Sequence, residues 1–362
     1  MTSVALSTPA SRDEGATGFV SAGGPTGHFG PAVPILCRRA AVVTGVAGFI
    51  GSHLAESLLA HGWTVVGVDR RAPASDRAAA VNLAELTGQP GFSLRLADLC
   101  HADLGPLVSR SEVVFHLAGL GGVRGSWGPR FADYLACNVL ATHRLLAACE
   151  AAGIPRVVVA SSSSVYGENP GRPSRELDST RPASPYGVSK LAAERLSLAY
   201  AARPGTDLSV VALRYFSVYG PRQRADLVLD RLLRAVLTGV PVQLLGDGSQ
   251  RRQFTYVGDA VAATVAAALS APGAEVINVA GPRSVSLRRV ISVVEQVTGR
   301  RMPLVHGRGG AGEVHSTEAD LTHTRATLGY APAIELDEGI GRQWAWTTSD
   351  AARLRAYPLG VS

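Results

Sequence analysis

Apolar positions along this chain fall into short blocks of two alternating kinds. Ala40–Thr44 is an unbroken apolar run that ends in glycines. Phe49–His61 follows with apolar residues at helical spacing, and Trp63–Val68 is a second continuous run. Strand, helix, strand in that order is a βαβ unit, which implies parallel strands joined by a right-handed crossover. The alternation continues. Ser93–Leu96, Glu112–Leu117, Arg156–Ala160 and Leu208–Leu213 read as strands, and Phe131–Ala151 and Tyr186–Ala201 as helices. Gly153 stands behind the first of these helices as a stop signal. The pattern predicts an α/β fold with a doubly wound parallel sheet.

The pattern loosens beyond Tyr219. It predicts a helix over Leu227–Leu237, a short strand at Val242–Leu245 and a strand-turn-helix over Phe254–Leu269. A strand at Glu275–Val279, a helix over Val285–Thr298 and a mixed tail to Asp350 complete it. This suggests a smaller, mixed α/β domain built from 213–254 and 281–350, with 255–280 returning to a first domain of 38–212. Residues 1–37 are rich in Ser, Gly, Ala, Thr and Pro without periodicity and read as a disordered extension or a misplaced start.

Composition narrows the function classes. With 46% apolar and 18% charged residues in 362, the chain can bury a sizeable core. The longest Ala-rich stretch, Ala260–Leu269, is about half a membrane span, so no transmembrane helix is expected. Cys37, Cys100, Cys137 and Cys149 lack CxxC pairing, which argues against a disulfide framework or a zinc site. Free thiols in a reducing cytoplasm are expected. No metal-ligand spacing links the nine histidines. Net charge is +6, but the arginines are scattered rather than set in a stripe, which points to an anionic small molecule and away from nucleic acid. Of 35 basic residues, 34 are Arg and one is Lys, so Lys190 marks a position that arginine does not fill.

Two constellations carry candidate chemistry. Thr44-Gly45-Val46-Ala47-Gly48-Phe49-Ile50-Gly51 joins a strand to a helix with GxxGxxG spacing. Glycines allow a tight turn and close backbone approach, and the following helix N-terminus presents free N–H groups to an anion. Asp69 ends the second strand, where a carboxylate can bind a ribose 2′-OH and repel a 2′-phosphate. This favours NAD over NADP, although the neighbouring Arg70 and Arg71 could receive a phosphate. In the second constellation Tyr186 and Lys190 are four apart on a predicted helix, so they share a face. A phenol titrates near 10, and an adjacent ammonium together with the positive nicotinamide would lower that value and favour the phenolate. The serines at 161–164 follow a strand, where a hydroxyl can hydrogen-bond a reacting alcohol or carbonyl.

In this order the motifs resemble the extended short-chain dehydrogenase/reductase family, and within it the nucleotide-sugar epimerase branch. The resemblance spans about residues 40 to 348. It rests on TGVAGFIG at Thr44–Gly51, Asp69, Ala97-Asp98-Leu99, HLAG at His116–Gly119, SSSSVYG at Ser161–Gly167 and Tyr186-Gly-Val-Ser-Lys190. LRYFSVYGP at Leu213–Pro221, RRQFTYVGD at Arg251–Asp259 and LGYAP at Leu328–Pro332 complete it.

The resemblance implies a Rossmann domain that binds NAD and a C-terminal lobe that binds a nucleotide sugar. Gly45, Gly48 and Gly51 would hold the pyrophosphate, with Phe49 and Ile50 supplying N–H groups. Asp98 and Leu99 would flank the adenine, and Leu117, Ala118 and Gly119 would line the strand end beneath the cofactor. Ser162, Tyr186 and Lys190 would be the catalytic trio, the last two also touching the cofactor. Ser163, Asn138, Ser217 and Arg252 would lie on the substrate side, Arg252 at the diphosphate. It also implies a homodimer.

Gly121-Gly122-Val123-Arg124 is similar to a stretch of UDP-glucuronate 4-epimerases, and Arg124 could pair with a uronate carboxylate or a phosphate. Arg214 and the cluster Arg222-Gln223-Arg224 are further candidates. His116 is expected to be structural despite its motif position. Ser163-Ser164 stands where related 4,6-dehydratases carry Asp-Glu, so acid–base elimination lacks its groups. Gln253 and Glu313 each replace a usual Asp, and Arg308 is displaced from the usual second anchor. The expected activity is 4-epimerisation of a UDP-sugar of the UDP-glucuronate or UDP-glucose type through a transient 4-keto intermediate. The alternatives are an NDP-4-ketosugar reductase, an epimerase at another carbon, or a non-catalytic dinucleotide sensor.

Overall fold

The structure is a computed structural model and describes residues 39–168, 171–307 and 314–349. The expected extension over 1–37, Cys37, Arg308 and Glu313 lie outside the described residues. Among the described residues, no helix is long and apolar enough to cross a membrane.

Seven parallel strands form the central sheet. They are β1 (Ala40–Thr44), β2 (Thr64–Asp69), β3 (Phe92–Leu96), β4 (Val113–His116), β5 (Arg156–Ser162), β6 (Ser209–Tyr215) and β7 (Ala274–Val279), in the order β7-β6-β5-β4-β1-β2-β3. Helix α1 (Phe49–Ala60) crosses from β1 to β2. Helix α2 (Ala141–Ala151) precedes β5, and α3 (Pro185–Ala201) crosses to β6. The middle strands are buried along their length because helices cover both faces, so they read as continuous apolar runs rather than alternating ones. One apolar cluster includes Val43, Leu54, Phe115 and Val158, and the other Val42, Val114, Leu145 and Val157.

Register brings the strand ends together. Thr44 is level with Val68 and His116, Asp69 with Leu96, and Ser162 with Tyr215. Strand order reverses between β1 and β4, and the crevice at such a switch point is where open α/β sheets take ligands.

Several elements differ from the sequence expectation. The segment Phe131–Ala151 is not one regular helix: Phe131–Tyr134 is α-helical, Leu135–Leu140 is π-helical, and α2 follows. Apolar spacing cannot reveal the extra residue of a π-turn. Helix α1 stops at Ala60, and His61 is its C-cap. Val285 belongs to the strand Ser284–Ser286, which pairs with Arg251–Gln253, so the helix there starts at Leu287. Strand β6 runs on to Tyr215, past the boundary drawn at residue 212. The short helix Arg77–Leu83 was not anticipated.

Candidate active site

The glycine turn is fixed by sterics. Gly45 has φ +73°, and a Cβ there would lie 2.7 Å from the Ala118 backbone nitrogen. A Cβ on Gly51 would collide with the Gly45 carbonyl oxygen. The turn therefore packs flush against the end of β4, with Gly48 N donating to Gly45 O at 2.9 Å. Gly48 is the N-cap of α1 and no side chain caps it, so the Phe49 and Ile50 N–H groups belong to a bare helix N-terminus. This cradle, which any larger residue would fill, fits a dinucleotide pyrophosphate.

Asp69 ends β2, buried beside the turn. Its Oδ2 accepts from Ala47 N at 3.0 Å, and its Oδ1 accepts from Arg71 N at 3.0 Å. The carboxylate thus shapes the glycine turn; Oδ1 also accepts from Arg71 Nε at 3.4 Å, and Oδ2 keeps a second lone pair for a ribose hydroxyl. Asp98 follows β3. The Cys100 N–H and, less strongly, the Arg70 guanidinium hold its carboxyl below the usual range. Leu99 beside it is buried, and its carbonyl accepts from Arg144.

Behind Leu117 and Ala118 runs a chain of buried hydrogen bonds. Thr142 donates to Asn138 O, which leaves its oxygen to accept from His116 Nε2 at 2.9 Å. His116 Nδ1 then accepts from Thr44 Oγ1 at 2.8 Å, and Thr44 Oγ1 accepts from Ala118 N. Burial, then the Lys190 charge, pushes the His116 pKa down to about 3, so the ring is neutral and structural, as expected.

Asn138 lies on the π-turn. Its Oδ1 accepts from Leu120 N, and its Nδ2 donates to Leu120 O and Ser189 Oγ. Both amide protons are therefore used within the protein. Asn138 clamps the Gly119–Gly121 loop to α3. Gly119 shares the constraint, since a Cβ there would lie 2.8 Å from Asn138 Oδ1 and 3.4 Å from Lys190 Nζ.

The three expected catalytic residues meet at the end of β5. The Ser162 hydroxyl faces the Tyr186 phenol and favours its ionised form, and Ser162 Oγ also accepts from Ser164 N at 3.2 Å. Lys190 Nζ donates to Ala160 O at 2.9 Å. Burial lowers the Lys190 pKa to about 8. The protein's own groups do not depress Tyr186: burial raises its pKa, and the Ser162 hydroxyl and the Arg224 charge offset this only in part. A low dielectric penalises phenolate and ammonium alike, a cost that spacing on a helix does not disclose. Tyr134, which sequence reading missed, packs edge-on to Tyr186 with ring centroids 6.2 Å apart and donates to Gly122 O at 3.0 Å. Nothing in the local sequence marks it.

The arginines divide. Arg224 reaches the site: it donates to Gly121 O at 3.1 Å, pairs with Asp226, and its charge acts on Tyr186. Arg124 is exposed on the short turn Arg124–Ser126, and Ser163 starts the turn after β5. Arg214, a candidate for a substrate carboxylate, is wholly buried and bidentate to Glu194. Arg222 turns to α1, where it pairs with Glu56 and donates to Ser52. Arg252 donates to the carbonyls of Val314 and His315. Ser217 holds φ +27°, a strained conformation that suits asparagine better than serine. Gln253 explains its own departure from Asp: it donates to Gly281 O and accepts from Ala319 N, and a carboxylate could only accept. Among the described residues, no cluster of His, Cys, Asp or Glu could hold a metal.

Known proteins share this architecture. Residues 41–280 match the model of the NAD dependent epimerase/dehydratase family. A protein of Bacillus subtilis described as an uncharacterized UDP-glucose epimerase is 41% identical over 312 residues, 85% of this chain and 98% of that protein. The UDP-glucuronate 4-epimerase of Thermodesulfobacterium geofontis is 32% identical over 323 residues, covering 88% and 99%. Among solved structures, MoeE5 in complex with UDP-glucuronic acid and NAD is 46% identical with TM-score 0.80, and UDP-glucuronic acid 4-epimerase from Bacillus cereus in complex with UDP-glucuronic acid and NAD is 36% identical with TM-score 0.81. Each comparison covers 86% of this chain and 99% of the other. The chain belongs to the NAD-dependent epimerase/dehydratase family.

Proposed function

We propose that this protein is an NAD-dependent 4-epimerase of a UDP-sugar of the UDP-glucuronate or UDP-glucose type. The observation that carries the reading is the convergence of Ser162, Tyr186 and Lys190 at the end of β5, the same carboxyl end of the sheet that holds the glycine cradle. Bound NAD supplies a reversible hydride acceptor. Gly45, Gly48, Gly51, the N–H groups of Phe49 and Ile50, Asp69, Asp98, Leu99 and the Leu117–Gly119 strand end would hold it.

Tyr186 takes the proton of the sugar 4-OH as C4 is oxidised, and returns it when C4 is reduced from the other face. Ser162 holds the C4 oxygen within the same hydrogen-bonded group. Lys190 keeps Tyr186 and the cofactor ribose in one polar cluster. The pair Ser163-Ser164 carries no carboxyl to eliminate water, which supports epimerisation over dehydration. Arg224, already beside Tyr186, is the residue best placed to read a sugar substituent, with Arg124, Ser163, Ser217 and Arg252 around the nucleotide and its phosphates. We further propose a cytoplasmic homodimer, supported by exposed Leu135, Leu140 and Val188 on the π-turn and α3.

The test is an NMR time course of purified protein with UDP-glucuronate, and separately with UDP-glucose, without added cofactor. A 4-epimer is the expected product. No conversion of either sugar by protein that contains NAD overturns the reading and favours the ketosugar reductase.

A further inference from the structure

One face of α3 reads the last three residues of β5 in a row. Lys190 donates to the Ala160 carbonyl, Tyr186 faces Ser162, and Glu194, one turn beyond Lys190, accepts from Ser161 Oγ at 2.7 Å. Glu194 is fully buried, and it has no role in the reaction described above.

Its carboxylate accepts two further hydrogen bonds. Arg214 Nε donates to Oε2 at 2.9 Å and Arg214 NH2 to Oε1 at 2.6 Å. Arg214 lies on β6 directly beside Ser161 in the sheet register. The pair therefore ties the catalytic helix to two adjacent strands at the level of Ser162. Arg214 also reaches outward. Its NH1 donates to Glu176 O at 3.0 Å, and its guanidinium lies 4.6 Å from the centroid of the Tyr166 ring. Tyr166 in turn donates to Asn278 on β7.

Burying two charges is costly even when they are paired, so stability alone is a poor reason for such a pair. Bidentate geometry, by contrast, fixes position and angle. We infer that Glu194, held by Arg214 and anchored on Ser161, is a positioning residue that sets the register of Tyr186 against Ser162. This inference rests on the epimerase reading for the identity of the reacting pair, but not on the identity of the sugar.

The test uses NAD-bound full-length protein and two readouts. The first needs no sugar: the Tyr186 titration, taken as the absorbance difference between each background and the same background carrying Tyr186→Phe. Ser162, Arg224 and Tyr134 face this phenol, Lys190 lies one turn along α3, and all four are unchanged in every variant. Ser161→Ala removes the anchor and leaves the Glu194–Arg214 pair intact. It is expected to raise the Tyr186 midpoint by roughly half a pH unit, as the Ser162 hydroxyl drifts from the phenol. Ser161→Thr keeps the hydroxyl and is expected to restore the midpoint.

The second readout is turnover of a UDP-sugar. Ser161→Ala is expected to lower kcat about tenfold with KM and NAD content unchanged, the loss expected when aligned reacting groups drift. An unmoved midpoint in Ser161→Ala overturns the inference. So does a loss that Ser161→Thr fails to rescue, or one in which NAD content falls together with kcat. A shifted midpoint in protein that turns over neither sugar supports the positioning role and places the failure in the epimerase reading.

Discussion

Asn138 and Leu120 exchange two hydrogen bonds: the Asn138 side-chain oxygen accepts from the Leu120 amide at 2.7 Å, and its nitrogen donates to the Leu120 carbonyl at 3.0 Å. One amide side chain imitates a strand partner for the loop that follows β4. Asn138→Asp would keep the acceptor and lose both donors, leaving the Leu120 carbonyl opposite a carboxylate. Stability should fall by about 1–3 kcal/mol, the range for an unsatisfied buried polar group. Urea denaturation measures this, and an unchanged midpoint would remove Asn138 from its clamping role.

Tyr186→Phe deletes the proton-handling oxygen and nothing that holds the dinucleotide turn. Turnover should fall by roughly 10²–10⁴-fold, the usual worth of a general acid–base group. NAD recovered from the denatured variant should match wild type. Activity near wild type would sink the site assignment.

Lys190 is the only lysine, and its amine is buried with a pKa near 8. Acylation at pH 8 followed by peptide mass spectrometry should label it in cofactor-free protein and spare it when NAD is bound. Equal labelling in both forms would place the amine outside the cofactor site. Lys190→Arg should lose most activity, because a planar guanidinium does not replace a compact ammonium within 2.9 Å of the Ala160 carbonyl.

His116 gives a pH prediction with a definite sign. Its folded pKa is about 3, below the 6.5 of an unfolded histidine, so the unfolded chain binds the extra proton. His53 behaves alike at about 4, lowered by burial and by Arg222. Their contribution is fully present above pH 6.5 and is lost as pH falls from there toward 4 and 3. Each contributes at most about 1.4 kcal/mol per pH unit in that window. Denaturation midpoints measured from pH 7 to 4 should fall accordingly, and His116→Asn should flatten the slope. A wild-type midpoint constant over that range would contradict the buried neutral ring.

Gly45→Ala should abolish NAD retention. The new Cβ would sit 2.7 Å from the Ala118 nitrogen at φ +73°, and neither backbone can withdraw cheaply. Fluorescence titration with NAD reads this directly. Retained affinity would show that the turn is not the cofactor cradle.

By itself the sequence determined what local rules govern. The β1–α1–β2 unit, the glycine turn, Asp69 at a strand end and the Tyr186–Lys190 pair follow from period and spacing, because each depends on residues close in the chain. The lone lysine was likewise legible from composition. Tertiary structure alone decided which arginine serves which purpose. Arg214, Arg222 and Arg224 lie within eleven residues of one another, yet one is buried on Glu194, one turns to Glu56, and one reaches Gly121. The partners are 20, 166 and 103 residues away, so no local pattern encodes the choice. The same holds for Tyr186, whose titration depends on the burial that surrounding elements impose, a quantity that exists only once the chain has closed around it.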